Sequence, residues 1–132
     1  RLRPILRHQY ETAPDFQAYI YGAVRAYFSF MAQEHETWQA KRPVDERQPI
    51  MNAQTPEMTF IFNEVRDSIH AVIDRGDVRP VDADYLAGAA IALARDIGEQ
   101  MLRRRPIDID VATDFAVKMI LGGVPALPTL KP

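Results

Sequence analysis

The segment "ADYLAGAAIALARDIGEQMLRRR", residues 83–105, leaves a chain of this kind few ways to fold. On a helix turning about 100° per residue, Leu86, Ala87, Ala90, Leu93, Ala94, Ile97 and Met101 fill one arc, and Ile91 and Leu102 widen it to nearly half the circumference. Gly88, Ala89 and Ala92 occupy much of what is left along the first turns. A helix that faces a single core needs an apolar stripe only somewhat wider than about 100°. This one is apolar or small nearly all round along its first half. It needs cover on more than one side, and its small residues let neighbouring helices approach closely.

The last apolar segment has the same character. Ile109, Ala112, Phe115, Ala116, Met119 and Ile120 make a broad face that Val117 and Leu121 extend, and only Asp110, Asp114 and Lys118 mark a wet side. A single domain of 132 residues has little interior in which to hide two such helices. A second copy of the chain is the expected cover, since symmetric dimers are the commonest oligomers and exposed apolar patches mark interfaces. The expected interface residues are Ala89, Ile91 and Ala92 of the first helix, with Phe115, Met119 and Leu121 of the second. The alternative is that both are central helices of a monomer.

The rest of the chain reads as helices separated by punctuation, with no convincing strand, so the fold class is all-α with about five helices. Residues 1–9 carry Leu2, Ile5 and Leu6 on one side, like the tail of a longer helix. Thr12, Pro14 and Asp15 form a start signal, with Thr12 as the cap candidate. Phe16, Tyr19, Ile20, Ala23, Tyr27, Phe30 and Met31 then recur at helical spacing towards Trp38. Residues 41–55, with Pro43 and Pro49, read as a loop with one short turn. Thr55-Pro56-Glu57 repeats the start signal before the stripe Met58, Ile61, Phe62, Val65, Ile69, Val72 and Ile73.

An Arg75-Gly76-Asp77 triplet follows that stripe, and its best-known role is as an adhesion signal. Local chemistry accounts for it more simply. Gly76 stands where a left-handed C-cap is wanted, Pro80 prevents continuation, and Asp82 caps the next helix with Asp84 in its first turn. The triplet is a turn. Arg103, Arg104 and Arg105 suit the negative end of that next helix and Pro106 closes it, while Asp108 caps the last helix, which is expected to stop at Gly122, Gly123 and Pro125. The tail, 125–132, is expected to be extended and mobile.

Composition removes several classes of function. The balance of 16 basic against 18 acidic residues gives a net charge of −2, with no electrostatic pull towards nucleic acid or a membrane surface. Zero cysteines exclude disulfides, thiolate metal sites and a cysteine nucleophile. The longest apolar run, 86–94, falls far short of the roughly 20 residues needed to span a bilayer. Residues 1–10 lack the apolar core of a signal peptide. The chain begins at Arg1 rather than a methionine, and it reads as a fragment or as a protein that has lost its first segment. His8, His35 and His70 are scattered without metal-ligand spacing, and no nucleophile or nucleotide motif is present, so neither a metal nor a cofactor is expected.

The order of elements is nonetheless distinctive. A long amphipathic helix and a proline-broken connection precede "AVIDRGDVRPVD", then the alanine-rich helix, then "DIDVATDFAVKMILGGV". Over residues 14–124 this resembles the C-terminal ligand-binding and dimerisation domain of TetR-type transcriptional regulators. The resemblance implies one domain over 1–132, with 1–10 as the end of the helix that links to a DNA-binding domain. It implies a cytoplasmic homodimer in which the last two helices pair with their symmetry mates as a four-helix bundle. It further implies a pocket for a small-molecule effector among the linking helix, the first long helix, the helix from Pro56 and the alanine-rich helix. A helix-turn-helix is absent from this chain, so contact with operator DNA belongs to a domain outside it.

Methionines and aromatics make adaptable apolar pockets with a few polar tips. Tyr19, Tyr27, Phe28, Met31, Trp38, Met58, Phe62, Ile97 and Met101 sit on faces that should converge, either as pocket or as plain core. The expected pocket residues are Tyr27, Met31, Phe62, Arg66 and Met101, with Arg66 placed to meet an anionic group or to act as a solvated edge charge. Glu34 adds a carboxylate on the apolar face that would orient a polar effector, unless the helix frays before Gln33 and leaves it wet. Two other functions compete with a regulatory module: a ligand-free helical dimer, and a small helical enzyme using Glu34 with His35 or His70.

Overall fold

The computed structural model describes residues 2–41 and 56–130, with side chains over 4–35 and 59–130. Among the described residues the chain is all-helical: α1 (Leu2–Thr12), α2 (Phe16–Lys41), α3 (Pro56–Asp74), α4 (Ala83–Leu102) and α5 (Ile109–Gly123), followed by a 3-10 turn, Val124–Ala126. The expectations for the 42–55 connection, for the cap at Thr55 and for the side chains of Trp38 and Met58 lie outside the described residues.

Local chemistry sets most of the boundaries. The Asp82 carboxylate accepts the Tyr85 amide at 3.0 Å and Asp108 accepts that of Val111 at 3.1 Å, so both expected N-caps satisfy an otherwise orphan donor. Gly76 adopts φ +83°. Its amide donates to the Ile73 carbonyl and the Asp77 amide to that of Val72, closing α3 as a left-handed cap. Arg75 pairs with Asp77 at 2.8 Å and its guanidinium lies 6.0 Å from the centre of the Tyr10 ring. Val78 and Val81 are buried just beyond. The triplet is thus the anchored end of a helix. The Arg105 guanidinium donates to the Leu102 carbonyl at 2.8 Å, as expected for a cation at a helix C-terminus.

Three details differ from expectation. The cap of α2 is Asp15, whose carboxylate accepts the Ala18 amide at 2.8 Å; Thr12 ends α1, its hydroxyl donating to the His8 carbonyl. A serine or threonine hydroxyl can bond back one turn within a helix, so Thr12 serves the end of α1 rather than the start of α2. Secondly, α5 runs through Gly122 and Gly123, because nothing there obliges glycine to leave the helix before Pro125 does. Thirdly, the tail is extended after the 3-10 turn but tied down. Arg79 donates to the Val124, Pro125 and Leu127 carbonyls and to the Thr129 hydroxyl, and the Leu130 amide donates to the Pro80 carbonyl.

The packing centres on α2, which meets α1, α4 and α5, while α3 packs on α4 and α1. Phe28 and Met31 of α2 are almost wholly buried against Gly98 of α4. A Cβ built there would lie 2.4 Å from Met31 Sδ and 3.3 Å from Phe28 Cε1. Ala87 of α4 and Ala116 of α5 are fully buried, so small side chains stand where helices press together. Arg7 of α1 pairs with Glu64 of α3, and Arg25 of α2 with Asp110 of α5. Surface pairs of this kind contribute little to stability.

Replacing Gly76 tests the α3 cap. A Cβ there meets no atom within 4 Å, so Gly76→Ala carries only the backbone penalty of a left-handed conformation. The expected cost is about 1 kcal/mol or somewhat more, with Gly76→Asn costing less. Denaturant midpoints at unchanged slope measure it, and an Ala variant as stable as the parent would remove the cap from the account.

Candidate functional site: an inner cavity and an outer stripe

The inner cavity lies where the first four helices converge. Leu6 of α1, Tyr19, Ile20, Ala23, Val24 and Tyr27 of α2, Ile61 and Val65 of α3, Ala90, Ile91 and Ala94 of α4, and Ile120 of α5 line it, and it is partly open to solvent. Its volume is about 70 Å³ and its wall is almost entirely apolar. The void has a simple origin. Ala23, Ala90 and Ala94 bring no bulk to the junction, so the larger side chains around them leave a gap.

Two tyrosines line this wall, and they are not equally buried. Tyr19 is nearly wholly buried and packs edge-on against Tyr10 with ring centres 5.8 Å apart. Burial pushes its phenol above the ordinary range, and the neighbouring Ser68 opposes the shift; the Ser68 hydroxyl donates to the Glu64 carbonyl at 2.9 Å. Tyr27 is half-buried beside Phe28, with ring centres 5.9 Å apart. Burial raises its phenol strongly, with the charge of Arg95 lowering it and that of Glu99 raising it. Among the described residues the Tyr27 hydroxyl makes no hydrogen bond. It is therefore a neutral donor at physiological pH.

Of the expected pocket residues, only Tyr27 lines this cavity. Met31 is buried beneath it against Gly98. Met101 is buried in a different place, the floor of a groove of about 240 Å³ between the end of α4 and the start of α5. Phe62 sits near Gly88 on the α3–α4 seam. Arg66 lies 5.8 Å over the Phe62 ring and pairs with Asp67 at 3.3 Å and Asp84 at 3.9 Å, which places it on that outer seam with two carboxylates. Glu34 is helical, because α2 continues to Lys41, and its side chain is half-buried. The lining residues that helical periodicity did not single out as pocket are Leu6, Ile20, Ala23, Val24, Ile61, Val65, Ala90, Ile91, Ala94 and Ile120. Ala90 and Ala94 stand in the apolar arc of α4 as expected, and here they border a void.

The outer stripe runs along α5. Val111, Phe115 and Met119 recur every four residues and so align on one side of the helix; they are 56%, 59% and 54% exposed. Phe115 and Val111 also border the α4–α5 groove with Ile97, Ala112 and Met101. Ala89 is exposed on α4 and Ala92 half-exposed. Ile91 lines the inner cavity instead, and Leu121 packs partly buried against the core. The structure thus brings Phe115 and Met119 together, with Ala89 and Ala92 on the neighbouring helix, and turns Ile91 and Leu121 inward. No group of three or more metal-binding side chains occurs among the described residues, and no described helix is long and apolar enough to cross a membrane.

No family model, curated protein or solved structure matches this chain.

The buried phenols predict how the fold responds to alkali. Ionising Tyr27 in place is opposed by its burial, so its folded pKa lies above the unfolded value of about 10. The stability associated with its neutral form is intact below about pH 10 and is lost as pH rises beyond that. Tyr27→Phe is expected to move the alkaline unfolding midpoint upwards, read by circular dichroism. An unmoved midpoint would mean that the phenol ionises as easily folded as unfolded.

Proposed function

We propose that this chain is the ligand-binding and homodimerisation domain of a TetR-type transcriptional regulator, in which a small apolar effector repositions α1 and, through it, the DNA-binding heads of the parent protein. The observation that carries this reading is that a single cavity is walled by Leu6 of α1 together with residues of α2, α3 and α4. Its occupant touches the helix that, by the sequence resemblance, leads to the DNA-binding domain. At about 70 Å³ the void is smaller than the roughly 300 Å³ at which pockets for drug-sized ligands begin. A larger effector therefore has to displace wall residues to enter, and Leu6 is one of them. Differential binding to two positions of α1 is what an effector needs in order to shift a population between two states.

The α5 stripe supports the second half of the proposal. Three large apolar side chains more than half exposed on one helix face are costly to leave in water, and a twofold axis brings such a face against its own copy. Direct contact with operator DNA is assigned to no residue of this chain. The same small cavity favours a second reading, a helical dimerisation module that takes no ligand.

Two measurements decide. The reading frame upstream of the Arg1 codon is expected to encode a helix-turn-helix joined to α1; a start codon at or just before Arg1 would remove the regulator and leave a free-standing helical domain. In sedimentation at tens of micromolar the chain is expected to be a dimer, and Phe115→Glu or Met119→Glu to give a folded monomer, since a charge buried at the centre of an interface weakens it by 100-fold or thereabouts. A wild-type chain that sediments as a monomer sinks the dimer.

A further inference from the structure

Resting on the dimer reading above, we infer that two copies of α5 pair antiparallel about a twofold axis at Phe115, and that the partner's Met119 enters the groove between the end of α4 and the start of α5. A twofold axis makes every contact reciprocal, so what one copy inserts into its neighbour it also receives. The exposed stripe has Phe115 at its centre, with Val111 four residues before it and Met119 four after. An antiparallel pairing centred there sets Phe115 against its own copy and the partner's Met119 over Val111. A parallel pairing sets each residue over its own copy instead.

Two observations favour the antiparallel arrangement. The first is shape. Val111 and Phe115 belong both to the stripe and to a groove of about 240 Å³, whose other apolar walls are Ile97, Met101 and Ala112. The stripe therefore has a recess at its Val111 end and a long thioether side chain, 54% exposed, at its Met119 end. Methionine is unbranched and polarisable, and it fills irregular apolar gaps. Antiparallel pairing brings recess and thioether together twice, once on each side of the axis. Parallel pairing leaves recess facing recess.

The second is charge. Asp110, Asp114 and Lys118, spaced by four residues, run along one flank of the stripe, with Lys118 3.3 Å from Asp114 of its own helix. In the antiparallel pairing the two charged flanks share a side of the seam. The partner's Lys118 then comes level with Ala112, between Asp110 and Asp114. In the parallel pairing the flanks lie on opposite sides of the seam, and the partner's Lys118 meets neither carboxylate. Exposed pairs of this kind add little affinity, but they select orientation.

The chain has no cysteine, so introduced thiols report the pairing directly. A disulfide needs Cα atoms within roughly 7 Å, whereas Val111 and Met119 of one helix stand about 12 Å apart at about 1.5 Å per residue. The Val111→Cys/Met119→Cys double variant is expected to oxidise to a covalent dimer, read on a non-reducing gel. Either single variant is expected to stay unlinked, because antiparallel pairing holds each position about 12 Å from its own copy. Phe115→Cys is expected to link to itself; if it no longer dimerises, the double variant still decides. Met119→Ala is expected to raise the dimer dissociation constant about tenfold, the cost of truncating a buried interface anchor. A chain that sediments as a dimer but links through a single variant at Val111 or Met119 pairs parallel, and a double variant that stays unlinked pairs elsewhere. Either result, or a dissociation constant unmoved by Met119→Ala, would overturn the inference and leave the dimer standing. A parent chain that sediments as a monomer would overturn the dimer reading itself.

Discussion

The arrangement depends on how closely α2 approaches α4. Gly98 presents only a hydrogen where Met31 and Phe28 arrive, and a single added carbon would stand 2.4 Å from the Met31 sulfur. Two of the most buried side chains of the protein are seated by that absence. Because α2 also carries the contacts to α1 and α5, fixing it against α4 places both. The cavity is the remainder of this geometry. About one and two turns towards the start of α4, Ala94 and Ala90 again present little bulk, but there the residues of α2 at the cavity include Ala23 and Val24, too short to fill the space. A glycine met by a long side chain gives a tight crossing; alanines met by short ones leave a void.

Polar groups appear where helices must hold an angle. Arg7 with Glu64 and Arg25 with Asp110 join elements distant in sequence, and Arg79 gathers the carbonyls that follow α5. Those carbonyls would otherwise be unsatisfied acceptors at the negative end of a helix dipole, where a guanidinium is favoured. One group breaks the pattern: Thr113 is fully buried in α5 and its hydroxyl has no hydrogen-bond partner among the described residues. An unpaired buried hydroxyl costs about 1–3 kcal/mol, and no feature of the described structure repays it.

The two-sided apolarity of α4 acquires a division of labour. Its inner side carries Ala87, Ala94, Gly98 and Met101 into the core, and Ala90, Ile91 and Ala94 also border the void. Ala89 remains exposed. The wet breadth of α5 is likewise split, with Asp110 turned to Arg25 and the Val111–Phe115–Met119 line left open.

The set of helices and most of their ends follow from local chemistry alone. Gly76, Asp82 and Asp108 act on backbone groups within four residues of themselves, so their effect is complete in the local chain and legible there. Thr12 and Asp15 show the limit of even this reading, since two good caps three residues apart serve two different helices. What only the tertiary structure decided is which faces meet. Met31 and Met101, expected in the pocket, pack elsewhere, and Ile91 and Leu121, on faces broad enough to point either way, turned inward. A helix wheel gives the direction of a side chain relative to its own axis, whereas the partner depends on how five axes cross. Arg79 finding carbonyls more than forty residues away, and the cavity itself, belong to that second kind of information.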